Sequence, residues 1–221
     1  MGSILAIHLI ESPNYKDFYA NRIEADLIRP IAQFCDIPFT ARTVLSRKYF
    51  IKALDEIERK DGCIPVLHFA GHGNKQGIEL SEREFITWVD LRKLLIPVNK
   101  RVGGALFVCM SCCEGLSAIQ SVRSMEQDDP FIAVVGTGAS PTIAETSVAY
   151  ATFYHQLNIL FEQKPRSEGE FTKKLKKIIK NMSAASCIEW VCLETENIKP
   201  HFQNAAMRFR EYVESRRLEG T

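Results

Sequence analysis

Two side chains able to do chemistry stand at the ends of two short apolar runs. Val66-Leu67-His68-Phe69-Ala70-Gly71-His72-Gly73 is apolar, stops at glycine and delivers a histidine. Leu106-Phe107-Val108-Cys109-Met110-Ser111-Cys112-Cys113-Glu114-Gly115, opened by Gly103-Gly104, delivers a thiol. Runs this short and this apolar read as strands buried on both faces. Open parallel sheets place ligand sites at the C-terminal ends of their strands, which is where His72 and the cysteines fall. If the two strands are neighbours, His72 and Cys112 face each other across one crevice, a base beside a nucleophile. The positive end of the helix that starts after Cys112 would favour its thiolate.

Plainer roles account for the other candidates. Cys35, Cys63, Cys109, Cys187 and Cys192 read as small buried hydrophobes. His68 is mid-strand and fits a core imidazole bonded to a carbonyl, whereas His72 stands between two glycines with little to pack against. His68-x3-His72 with Cys109-x2-Cys112 offers zinc two histidines and two cysteines, but on buried strands rather than knuckles. As a redox pair, Cys109 and Cys112 have the first cysteine inside the strand rather than at a helix start. Gly136-x-Gly138 is too little for a nucleotide loop.

These two strands belong to a chain that alternates strand and helix without repeats or low-complexity linkers. The pattern predicts strands at Ser3–Ile10, Pro38–Leu45, Cys63–Ala70, through Leu106, at Phe131–Val135 and at Ile188–Leu193. A loop over Glu11–Asp17 precedes a helix over Phe18–Cys35, striped by Ile23, Leu27, Ile31 and Phe34 and kinked or split at Pro30. Ser46 caps a helix to about Lys60 with Phe50, Leu54 and Ile57 inward. A small hairpin follows His72, and a helix with Leu91, Leu94 and Leu95 inward ends at Pro97 or shortly after. Beyond the cysteines come a helix through Leu116, Ile119 and Val122, a long one over Thr142–Gln163, another over Glu170–Met182 and a last over Phe202–Val213. The sum is a mostly parallel α/β sheet of about six strands covered on both faces, in one domain spanning 1–221.

Composition narrows the function classes. A net charge of +1 gives no reason to expect nucleic acid or an anionic membrane as partner. No apolar run approaches the ~18 residues of a membrane helix, and Ile4–Ile10 is too short for a signal peptide. Ala6 stands where a myristoylation signal wants Ser or Thr. Seven cysteines, an odd number and mostly inside apolar elements, read as a reduced cytoplasmic protein rather than a disulfide framework.

The motifs His-Phe-Ala-Gly-His72-Gly and Leu106-Phe-Val-Cys-Met-Ser-Cys112 resemble the two catalytic motifs of the caspase-like cysteine peptidases, which include caspases, metacaspases, separase and gingipains. They are most similar to bacterial CHAT-domain sequences, in which a strand ending in His-Phe-Ala-Gly-His-Gly precedes one ending in Ser-x-Cys or Ser-Cys. Trp88-Val89-Asp90-Leu91, Val134-Val135-Gly136 and Phe153-Tyr154 extend the likeness over about Ile4–Leu160. The resemblance implies a caspase–hemoglobinase three-layer sandwich and a cysteine endopeptidase needing no cofactor. His72 would be the general base or acid, and Cys112 would form a thioester with the substrate. The N–H groups of Gly73 and of the nucleophile would hold the oxyanion, and no orienting third side chain is implied. Cys112 matches the CHAT and metacaspase spacing to the following glycine, while Cys113 matches the caspase spacing; aligning the strand from Leu106 favours Cys112. Glu145 stands nearest the acidic residue that in relatives receives an arginine or lysine side chain, and reads equally as an acidic helix-start residue.

Caspases are matured by cutting a linker near Arg123–Pro130, which is short here. That implies an uncut chain acting on a protein substrate and controlled by a regulatory partner or sensor. By analogy such an enzyme would be an effector in antiviral defence or programmed cell death. An inactive caspase-like scaffold is the alternative.

Overall fold

The computed structural model describes residues 5–58, 63–121, 128–163, 165 and 167–195. In chain order the elements are β1 (Leu5–Ser12), α1 (Tyr15–Tyr19), α2 (Glu24–Phe34), β2 (Phe39–Thr43) and α3 (Arg47–Asp55). Then come β3 (Ile64–Asn74), the hairpin strands β4 (Gly77–Glu79) and β5 (Phe85–Thr87), α4 (Trp88–Arg101) and β6 (Phe107–Ser111). A 3-10 segment (Gly115–Ser121) leads to β7 (Ala133–Gly136), α5 (Ile143–Glu162), α6 (Glu168–Ser186) and β8 (Val191–Glu194).

Six strands form the main sheet in the order β2-β1-β3-β6-β7-β8, parallel except for β8, which runs against β7. Strand period two divides the apolar side chains between two cores. Leu5, Ile7, Leu9, Val66, Phe107 and Cys109 enter the first core with residues of α2, α5 and α6. Ile10, Leu67, Phe69, Val108 and Met110 enter the second with residues of α3 and α4. Burial on both faces is why β3 and β6 read as unbroken apolar runs. The result is the expected three-layer α/β sandwich, with β3 and β6 adjacent at its centre.

Local departures have identifiable causes. Pro97 does not end α4, and α2 runs through Pro30 as one element. Both prolines lie on exposed faces, as do Lys93 and Asp26 four residues earlier, so solvent can serve the carbonyls that lose a partner. The expected Phe18–Cys35 helix is divided earlier, into α1 and α2 with Asn21 at φ 53° between them. The restart rotates the stripe: α2 buries Glu24, Ala25, Ile28 and Ala32, while Leu27 and Phe34 are exposed. Ser46 occupies the N-cap of α3 without a side-chain cap bond. The Arg47 N–H donates instead to the Glu84 carboxylate, reaching over from the turn between β4 and β5. The segment after the cysteines is 3-10 rather than α. Phe202–Val213, Val122 and Arg123 lie outside the described residues. Among those described, no helix is long and apolar enough to cross a membrane.

Candidate active site

Parallel pairing of β3 with β6 sets Ala70 opposite Ser111, so His72 and the two cysteines emerge side by side at the C-terminal edge. There a cleft of about 130 Å³ is lined by His72, Cys112 and Cys113 together with Glu11, Asp17, Arg22 and Glu24. His72 is exposed at its mouth. Gly73 has to be glycine at this seam: a Cβ there would lie 2.6 Å from the Cys113 carbonyl oxygen and 3.0 Å from Cys112 Sγ.

The two cysteines have different surroundings. Cys112 is 2 % exposed and belongs to the second core, following Val108 and Met110 in the pleat. Burial pushes its thiol well above the ordinary cysteine range, with the neighbouring Cys113 and Glu24 adding to the effect. Cys113 is half-buried. β6 ends at Ser111, and Cys113 stands in the turn that follows, lining the cleft. Alternation within β3 from Val66 and His68 carries His72 toward the first-core side of the sheet. Beyond Cys113 the chain turns sharply. Glu114 adopts φ 54°, its N–H donates to the Ala139 carbonyl, and the Gly115 N–H donates to the Cys112 carbonyl. A non-glycine residue in the left-handed region is locally costly, and such residues concentrate where a side chain must be aimed.

Beneath the cleft lies a buried polar network that the sequence reading missed. Glu24, the first residue of α2, is buried, and Ser111 Oγ lies 2.8 Å from each of its carboxylate oxygens. His68 Nε2 donates to Glu24 Oε1 at 3.0 Å, and the Tyr154 hydroxyl lies 2.7 Å from His68 Nδ1. Burial raises the Tyr154 phenol well above its usual range, which keeps it a hydrogen donor. His68 is thus a core imidazole, bonded to a carboxylate and a phenol rather than to a carbonyl. Glu11, also buried, accepts the Ala25 N–H at 3.3 Å and the Thr43 hydroxyl at 3.1 Å. Desolvation raises its carboxyl above the usual range, aided by the charge of Glu24 and opposed by those hydrogen bonds. At the rim, Asp17 is 3.6 Å from the Arg22 guanidinium.

Glu145 is not among the cleft residues. It closes a capping box on α5: its carboxylate accepts from the Thr142 N–H at 2.7 Å and hydroxyl at 2.9 Å, while Thr142 Oγ1 accepts the Glu145 N–H. These bonds hold its carboxyl below the usual range. The structure thus gives Glu145 the helix-start role and does not bring it into the cleft. The four zinc candidates do not converge either, since Cys112 lies on the opposite face of the sheet from His68 and Cys109. Among the described residues, no group of three or more His, Cys, Asp and Glu side chains is placed to hold a metal ion.

No protein-family model matches the chain, and no curated protein matches it by sequence. Among solved structures it is similar to the Arg-specific cysteine proteinase gingipain R, at 13% identity and a TM-score of 0.46. The match covers 87% of this chain and 46% of that one, so the chain spans about half the length of the proteinase. The fold rests on the strand order and layering described above, and the chemistry on the side chains of the cleft.

Proposed function

We propose that the protein is a caspase-like cysteine endopeptidase with Cys113 as nucleophile and His72 as its base and acid. One observation carries this reading: His72 and Cys113 line one cleft at the C-terminal ends of adjacent parallel strands. Preferring Cys113 to Cys112 rests on burial, because a nucleophile must reach a carbonyl carbon and Cys112, though it borders the cleft, is 2 % exposed and packed against the second core. The Cys113 thiolate attacks the scissile carbonyl, whose π electrons move onto oxygen. The N–H groups of Gly73 and Cys113 receive that oxyanion, each such donor contributing ~3 kcal/mol of transition-state stabilisation. Collapse breaks the C–N bond, His72 gives its proton to the leaving amine, and water then hydrolyses the thioester.

The residue before the scissile bond is basic in this reading. Glu11, Asp17 and Glu24 line the cleft against a single Arg22, so a cationic side chain is favoured there. A protein substrate and a regulatory partner complete the proposal. The test is a panel of fluorogenic peptides ending in arginine, lysine or aspartate. Cleavage after arginine or lysine that is lost in Cys113→Ala and His72→Ala is expected. A preference for aspartate would overturn the pocket assignment, and undiminished cleavage by Cys113→Ala would overturn the nucleophile.

A further inference from the structure

Asn14, two residues beyond β1, makes three side-chain contacts, two to Asp17 and one to His72. Its Oδ1 accepts the Asp17 N–H at 2.8 Å as the N-cap of α1. Its Nδ2 lies 2.6 Å from Asp17 Oδ2 and 2.9 Å from His72 Nε2. The two Asp17 contacts decide which way the amide faces, because an N–H requires an acceptor and a carboxylate requires a donor. An amide nitrogen has two hydrogens to give and accepts none. One goes to Asp17 and the other to His72, so Nε2 must present its lone pair and the imidazole proton resides on Nδ1.

That arrangement is not a working base. Nε2 is occupied by Asn14, and Nδ1 already carries a hydrogen, so neither nitrogen can take a proton from the thiol. The geometry points to Asn14 as a positioning residue that rests His72 in the Nδ1–H tautomer and readies it by turning its amide over. The inference rests on His72 and Cys113 being the reacting pair. With the amide turned, the ring proton leaves Nδ1 to solvent water and Nε2 takes one from it, so Nε2–H donates to Oδ1 and the lone pair is on Nδ1. The Cys113 S–H proton then transfers to Nδ1, leaving a thiolate and an imidazolium with no atom gained or lost. Turning gives up both bonds to Asp17, the N-cap bond to its N–H and the Nδ2 bond to its Oδ2, which couples the tautomer to α1. None of the residues of α1 is buried, so little packing opposes that coupling.

The experiment reads the His72 tautomer in the full chain at neutral pH by long-range proton–nitrogen correlation of 15N-histidine protein, assigned with His72→Ala. The wild type is expected to show Nδ1–H. Asn14→Asp, which offers only acceptors, is expected to move the proton to Nε2 and to speed iodoacetamide alkylation of Cys113 by about tenfold. Asn14→Ser keeps a good N-cap for α1 but has no amide, and is expected to lose the Nδ1–H preference while α1 persists. It stands in if Asn14→Asp does not fold. A wild type already carrying Nε2–H, or one tautomer common to wild type and Asn14→Ser, overturns the inference. If the tautomers shift as expected but no peptide is cleaved and Cys113 is never alkylated, the Asn14–His72 link stands and the peptidase reading falls.

Discussion

Adjacent in sequence, Cys112 and Cys113 differ in what surrounds them, and that difference separates packing from chemistry. Cys112→Ala removes a sulfur from a filled core and is expected to cost about 1–2 kcal/mol in denaturant unfolding, with cleavage retained. Glu11 offers a second test at this scale. Its folded pKa is raised by burial, so the charged form is disfavoured in the native state. The penalty is absent below the unfolded carboxyl pKa, develops as pH rises toward the folded one, and is complete above it. Glu11→Gln can still accept from Ala25 and can donate to the Thr43 hydroxyl. It is expected to raise the Tm by a few degrees at neutral pH, and the gain should vanish in acid when the two proteins are melted across a pH series.

For the elements, what decides function is where each one starts. The capping box makes Glu145 part of the α5 N-terminus, so Glu145→Ala is expected to leave the arginine-to-aspartate cleavage ratio unchanged. Thr142→Ala is expected to cost about 1 kcal/mol of stability by denaturant titration. Because the Glu145 carboxyl is held low in the folded state, its contribution is present above the unfolded carboxyl pKa and is lost as pH falls through the lower folded one. The same dependence on starts explains α2. A turn at Asn21 re-phases the helix, bringing Glu24 inward and leaving Leu27 and Phe34 outside, and no periodicity count over Phe18–Cys35 can anticipate that.

Across the whole molecule, the layering was legible in the sequence because both central strands are apolar on both faces and helices separate them. Phe50, Leu54, Ile57, Tyr150, Phe153 and Tyr154 are buried as their spacing requires. His72 could be found because it stands between two glycines near a strand's end, and Cys112 and Cys113 because they follow an apolar run that Gly115 closes. The rest of the cleft could not. Glu24 meets Ser111, Asn14 meets His72 and Tyr154 meets His68 only through the fold, over sequence separations that no local pattern encodes. The choice between the cysteines was equally hidden, because it depends on which thiol the packed core covers. One signal was available: Glu24 falls in the helical pattern where an apolar residue would be expected, and a buried carboxylate at such a position calls for partners. The network it anchors joins α2, β3, β6 and α5. Tyr154→Phe leaves His68 Nδ1 buried without its donor and is expected to cost about 1–3 kcal/mol in unfolding, with the cleft residues untouched.

The most direct measurement of the central claim is covalent labelling. Peptide fluoromethylketones ending in arginine, lysine or aspartate would be incubated with the wild type, Cys112→Ala, Cys113→Ala and His72→Ala, and the adduct located by mass spectrometry. The expected result is an adduct on Cys113, formed with the basic peptides, kept in Cys112→Ala and lost in His72→Ala. An adduct on Cys112, or one on Cys113 that forms equally well without His72, would contradict the account.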